Sequence, residues 1–294
     1  MQDFFERIEL LYPVKVDTVG GIMEKKILVT GGDERQIYLA EALEKAGFEV
    51  TFVNYLEQMA KEKIERYQVL VLQIAVSKEA ISYCSDVMRK GQKIYGGLFP
   101  DKFVRLCEEK GVTLFDYMKE NTIAIKNAVA TAEGAIAEAI IRSKINLHGS
   151  QCLVVGFGRC GEILADKLSG LKCNVTVMAR DEEKMARAFA YGYRVEPFKN
   201  MKKDKELQET KQDYQFIFNT VPALVVDRPF LEKQKNIATI IDIASAPGGV
   251  DYEACKELGI QAKNCLGLPG KYAPIISAHI LAEAVMNRER EDLK

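Results

Sequence analysis

The residues best suited to chemistry lie at 151–161, which read QCLVVGFGRCG. Apolar Cys152, Leu153, Val154 and Val155 run into Gly156, Gly158 and Gly161, and an amphipathic stretch follows over 162–168. This is the spacing of a buried strand, a tight turn and a helix start. In such a turn the first glycine lets the chain reverse, the second removes a side chain that would block a pyrophosphate, and the third allows close helix–strand contact. The N–H groups of the first helical turn then face an anion. Gly156, Gly158, Arg159, Cys160 and Gly161 are therefore expected to hold a dinucleotide, the alternative being a glycine-rich turn with no ligand. The following strand, 174–178, is trailed by Ala179 and Arg180, and Arg180 lies 24 residues past Gly156. An NAD site places an acid near that position for the ribose 2′-OH. Arg180 favours NADP instead, with NAD as the alternative, because a shift of one residue would present Asp181. Asp181 is also placed to cap a helix over 182–190.

Three loops are expected at the carboxyl end of the same sheet: NTVP at 219–222, SAPGG at 245–249 and LGLPG at 266–270. They put Thr220, Val221, Pro222, Ala244, Ser245, Gly267, Leu268 and Pro269 beside the coenzyme, on a cleft that faces the first half of the chain. In that half the turn GGDERQ at 31–36 ends a strand; Asp33 is expected to cap the next helix while Arg35 remains free to project. The two histidines, His148 and His279, offer no good histidine–carboxylate relay for an alcohol–ketone reaction. His148 falls in the turn entering the fingerprint strand, at the end opposite the coenzyme, and His279 lies one turn beyond Pro274.

These residues need a scaffold, and the chain alternates strand and helix from residue 26 onward. Strands are expected at 27–30, 50–53, 69–72, 93–95 and 112–115, with helices over 34–46, 79–89 and 102–110. After the fingerprint, strands follow at 193–195, 216–218, 239–243 and 260–263. Such alternation implies parallel sheets covered on both faces. The expected fold is α/β, with two doubly wound, Rossmann-like domains joined by an interdomain helix. Residues 1–22 form a leader of uncertain status and 23–120 an N-terminal α/β domain on the substrate side. Residues 121–146 form the linker, 147–270 the NADP-binding domain, and 271–294 a terminal helix that returns to the first domain. Within the linker, 121–126 reads as a short strand. Thr131 then caps a helix whose first turn holds Glu133, with dipole compensation as that residue's default role.

With 294 residues and a net charge of −1, the composition argues against nucleic-acid or membrane-surface binding. The lysine-rich run at 199–211 is interleaved with acids and reads as a solvated helix. Seven scattered cysteines without a C-x-x-C fit reduced thiols in a cytosol. No apolar run approaches a membrane span, the N-terminus lacks a secretory pattern, and no metal site is expected.

The motifs GGDERQ (31–36), TAEG (131–134), HGSQCLVVGFGRCG (148–161), NTVP (219–222), DIASAPGG (242–249) and GLPGKYAP (267–274) occur in order. On them the chain, from about residue 23 to the end, resembles the family of dipicolinate synthase A subunits of endospore-forming bacteria. The resemblance implies an architecture like that of 2-hydroxyacid dehydrogenases and oxidation of dihydrodipicolinate to dipicolinate with NADP as hydride acceptor. It also implies a flavoprotein-like B subunit of dipicolinate synthase as partner and a place in the mother-cell cytoplasm; a homo-oligomer is an open alternative. Two substrate carboxylates would need partners, and Arg35 and Lys271 are the cationic candidates. Thr131, Glu133 and His279 complete the substrate-side set, and no catalytic proton acceptor is assigned. One departure from the family pattern is that Ile275-Ile276 stand where a basic and a hydroxyl residue follow the alanine–proline pair. The competing functions are a 2-hydroxyacid-type dehydrogenase and a non-catalytic NADP-binding component of a complex.

Overall fold

The computed structural model describes residues 23–198 and 212–291; the expectations for the leader and for the lysine-rich run lie outside the described residues. The chain forms two compact units, one holding the residues through Asn127 and again from Ala273, the other Ala128–Tyr272.

The first unit alternates β1 (Met23–Thr30), α1 (Glu34–Lys45), β2 (Phe48–Val53), α2 (Lys61–Ile64), β3 (Val69–Ile74), α3 (Lys78–Val87), β4 (Lys93–Gly97), α4 (Asp101–Lys110) and β5 (Thr113–Asp116). The strands pair in parallel in the order β2-β1-β3-β4-β5. Their continuous apolar sequences follow from burial on both faces. Ile27, Val29, Val69 and Val71 pack with Leu39 and Leu43 of α1, whereas Leu28, Leu70 and Leu72 pack on the other side with Cys84 and Phe103. This is the period of two expected of a strand.

Residues 121–126 are not a strand. They open the continuous helix α5 (Asn121–Arg142), which carries the chain from one unit into the other. The alternation of Ile123 and Ile125 imitates a strand, but the alanines that follow are strong helix formers. Thr131 therefore sits mid-helix and caps nothing, and Glu133 is several turns from the positive end of the dipole.

The second unit contains β6 (Gln151–Val155), α6 (Arg159–Gly170), β7 (Asn174–Ala179), α7 (Glu182–Ala190), β8 (Arg194–Pro197), β9 (Phe216–Asn219), α8 (Arg228–Leu231), β10 (Thr239–Asp242), α9 (Tyr252–Glu257), β11 (Ala262–Asn264) and α10 (Leu268–Tyr272). All its strands are parallel, in the order β11-β10-β9-β6-β7-β8. Reversed, this is the doubly wound order in which two mononucleotide-binding halves meet beside the first strand. Cys152 and Val154 face α5 and α6, while Leu153 and Val155 face α8 and α9. The last helix, α11 (Pro274–Glu291), packs Ala278, Leu281, Ala282 and Val285 into the core cluster that contains Leu39 and Leu43 of α1.

Candidate functional site

The fingerprint turn stands where the second sheet reverses its strand order, since β6 pairs with β7 on one side and β9 on the other. Gly156 has a φ of +95°, and a Cβ there would lie 2.4 Å from Thr220 Oγ1 and 2.7 Å from Val221 Cγ2. A Cβ on Gly161 would stand 2.1 Å from the Gly156 carbonyl oxygen. Those two glycines are required by the protein itself. Gly158 differs, because a Cβ there would meet nothing within 4 Å. It is the N-cap of α6 and supplies no side-chain acceptor, so the first N–H groups of that helix are left for another partner. Open space over an uncapped helix start is a cradle that fits the diphosphate of a dinucleotide.

The surroundings of the cradle are held by short hydrogen bonds. Thr220 donates to the Val155 carbonyl through both its amide and its hydroxyl, each at 2.9 Å. Beyond β7, Asp181 accepts from the Glu183 amide at 2.9 Å and is thereby committed to capping α7. Arg180 is exposed and makes no ion pair among the described residues. The Cys160 thiol is pushed up by burial, which disfavours the reactive thiolate.

A second network lies at the ends of β9 and β10. Asp242 is fully buried. Its Oδ1 accepts from Asn219 Nδ2 at 2.8 Å and from the Ala244 amide at 3.0 Å; its Oδ2 accepts from the Gly249 amide at 3.2 Å and the Tyr252 hydroxyl at 3.0 Å. Asn219 also donates to the Val221 carbonyl at 3.0 Å and accepts from its amide at 3.2 Å. One carboxylate thus ties together the loops leaving two strands. Burial, and then the Asp242 charge, pushes the Tyr252 hydroxyl well above its ordinary range, so it remains a donor.

No family model matches the chain. It is 28% identical over 288 residues to the A subunit of dipicolinate synthase from Bacillus subtilis, covering 88% of this chain and 94% of that protein. Its structure superposes on the A subunit of dipicolinate synthase from Bacillus halodurans with a TM-score of 0.79 at 26% identity, covering 92% of this chain and 99% of the other. Over nearly its whole length this chain is similar to the dipicolinate synthase A subunit. The fold extends further: D-lactate dehydrogenase of Escherichia coli superposes with a TM-score of 0.64 over 92% of this chain and 98% of its own, at 14% identity. Both sheets of this chain are parallel and doubly wound; the second has the Rossmann strand order and the first the other common doubly wound order, 2-1-3-4-5.

In this chain, Gly156, Gly158, Arg159, Cys160, Gly161, Thr220 and Val221 gather around one turn, with Pro222 next along the chain. Ala244 is buried against Asp242, Ser245 is exposed, and Leu268 fills core space against Gly134 in α5. Gly267 and Pro269 flank Leu268 at the start of α10. The cationic candidates are not free. Arg35 does not project, because Asp33 holds its guanidinium, with Nε at 2.8 and 3.0 Å and Nη2 at 2.5 Å. Lys271 donates to Glu138 Oε1 at 2.5 Å, and Tyr272 donates to the same oxygen at 2.7 Å. Glu133 pairs with Lys167 at 2.8 Å instead of compensating a dipole. Thr131 lies in α5, His279 in α11, and His148 is exposed in the turn before β6. Sequence reasoning missed Asn219, Asp242, Tyr252 and Glu138. The signal for the first two is a polar residue closing an apolar strand, as in FIFN and TIID.

Proposed function

We propose that this chain is an oxidoreductase that binds NADP and oxidises dihydrodipicolinate to dipicolinate, acting with a dipicolinate synthase B subunit in the cytoplasm of a sporulating cell. One observation carries the reading: the empty volume at Gly158 above an uncapped helix start, in a chain similar to the dipicolinate synthase A subunit. The residues present fit the coenzyme. The amides at the start of α6 would donate to its diphosphate, and the exposed Arg180 guanidinium suits a 2′-phosphate. When bound, NADP supplies a hydride acceptor.

The chain's own contribution is binding and orientation. Gly156 and Gly161 let β6, α6 and the 219–222 loop approach closely enough to form a rigid cradle. Asp242 and Asn219 fix the loops leaving β9 and β10, in the half of the sheet where the nicotinamide half of a dinucleotide belongs. Oxidation of the dihydropyridine removes a hydride and a proton, and the ring becomes aromatic. Product stability then supplies much of the driving force, so the protein chiefly orients the substrate. The position of His148, at the opposite end of β6, gives no support to a histidine relay of the 2-hydroxyacid type.

The test incubates the purified chain with NADP and dihydrodipicolinate generated by its synthase, with and without a candidate B subunit, and follows NADPH formation. Turnover in either arm is expected. Coenzyme binding without turnover in both arms would replace the enzyme reading with that of a coenzyme-binding component.

A further inference from the structure

Glycine is a poor helix former, yet Gly134 stands in the middle of α5. A Cβ there would lie 2.8 Å from Tyr272 Cδ2 and 2.9 Å from Leu268 Cβ, so the missing side chain lets the short helix α10 lie directly on α5. One turn further along α5 is Glu138, whose side chain is only 3% exposed. Three donors converge on its carboxylate. Lys271 Nζ donates to Oε1 at 2.5 Å, the Tyr272 hydroxyl donates to the same oxygen at 2.7 Å, and the Arg142 guanidinium pairs with Oε2. Two of the three belong to α10, and all lie within the second unit.

A five-residue helix does not hold its shape alone. The apolar contacts of Leu268 and the Tyr272 ring fix how near α10 lies to α5, but not how it is turned. Hydrogen bonds are directional, and two donors from adjacent residues on one carboxylate oxygen define a single orientation. A buried ion pair kept for stability alone could be replaced by an apolar pair of similar volume. The segment is also anchored at its other end, where the Cys265 amide donates to the Asp242 carbonyl at 2.7 Å. Between the two anchors the chain is open: Leu266 is exposed, and a Cβ on Gly267, at φ +70°, would meet nothing within 4 Å. This turn follows β11, in the half of the sheet that serves the nicotinamide end of a dinucleotide.

We infer that Glu138 is a positioning residue for coenzyme binding: by holding α10 on α5 it preforms the 266–269 turn for the nicotinamide half. This role rests on the coenzyme proposed above. Glu138 acts through Lys271 and Tyr272 and touches no coenzyme itself. A turn that is already ordered loses less entropy when its ligand binds, and affinity rises by that difference. The adenosine half, which belongs over α6 and β7, gains nothing from it.

The experiment compares the full chain with its Glu138→Gln and Tyr272→Phe variants, below the melting temperature of each. Glutamine keeps the volume and loses the charge; phenylalanine keeps the ring on Gly134 and loses the hydroxyl. Calorimetry titrates NADPH and, separately, adenosine 2′,5′-bisphosphate, which carries the adenosine half alone. Amide hydrogen exchange over 266–272 is followed in the ligand-free chain. Each variant is expected to bind NADPH about 5- to 30-fold more weakly, to bind the bisphosphate as the wild type does, and to exchange the 266–272 amides faster. A purely structural Glu138 would lower the melting temperature and leave the ratio of the two affinities unchanged. Unchanged NADPH affinity in either variant, equal losses for the two ligands, or unchanged exchange would each overturn the inference while leaving the coenzyme reading intact. Uptake of neither ligand by the wild type would instead remove the coenzyme reading, and this role with it.

Discussion

Replacing each fingerprint glycine by alanine separates the role of the turn in folding from its role in binding. At Gly158 the added methyl enters open space and the residue has φ −100° and ψ −165°, a backbone alanine adopts freely. Loss of glycine at an N-cap costs up to about 1 kcal/mol, and the reduced entropy of the unfolded chain returns about 0.4–1 kcal/mol. The net change in stability is therefore close to zero. The same methyl occupies the cradle, and displacing a phosphate from one charge-assisted hydrogen bond costs about 1.5–3 kcal/mol, roughly 10- to 150-fold in affinity. At Gly161 the methyl would lie 2.1 Å from the Gly156 carbonyl oxygen, a backbone atom, so the turn itself would have to shift. Overpacking of that kind costs about 1–3 kcal/mol of folding stability. Thermal melting and NADPH fluorescence titration of both variants give the assay. Gly158→Ala should melt like the wild type and bind NADPH weakly, whereas Gly161→Ala should melt lower. If Gly158→Ala bound NADPH with wild-type affinity, the diphosphate would not lie over the start of α6, and the fingerprint turn would not be the coenzyme site.

Arg180→Ala should weaken NADPH about 10- to 100-fold and leave NADH unchanged; parallel titrations check this, and equal losses for both coenzymes would reject the 2′-phosphate role. Asp242→Ala strands several buried donors at about 1–3 kcal/mol each, so a loss of about 3 kcal/mol or more is expected by urea unfolding. Glu138 gives a pH signature. Burial pushes its carboxyl up, but hydrogen bonds from Lys271 and Tyr272 and then the Arg142 charge outweigh this and hold it below the ordinary carboxylate range. Its contribution is present above the unfolded value of about 4.3 and fades as pH falls through the lower folded value. Glu138→Gln should therefore melt below the wild type at neutral pH, with the gap closing in acid; a pH-independent gap would show that the pair does not titrate in this way.

The fold and the turn were legible because both are written in local pattern. The strands 27–29, 69–72 and 216–218 are continuous apolar runs, and Gly156, Gly158 and Gly161, set between an apolar run and an amphipathic stretch, mark a strand–turn–helix unit. Where local pattern conflicted, reading it failed: the alternation at 121–126 resembles a strand, and only the packing of α5 along its whole length shows those residues to be helical.

What the sequence by itself determined is the kind of fold and the place of the glycine turn, because strand burial and helix starts depend on neighbours within a few residues. Which charges remain available was decided by tertiary structure alone. Lys271 is engaged by Glu138, 133 positions away, and Asp242 gathers the Asn219 amide, the Ala244 and Gly249 amides and the Tyr252 hydroxyl from separate loops. Electrostatic pairing acts through space, and the chain brings those partners together only once the second sheet is wound.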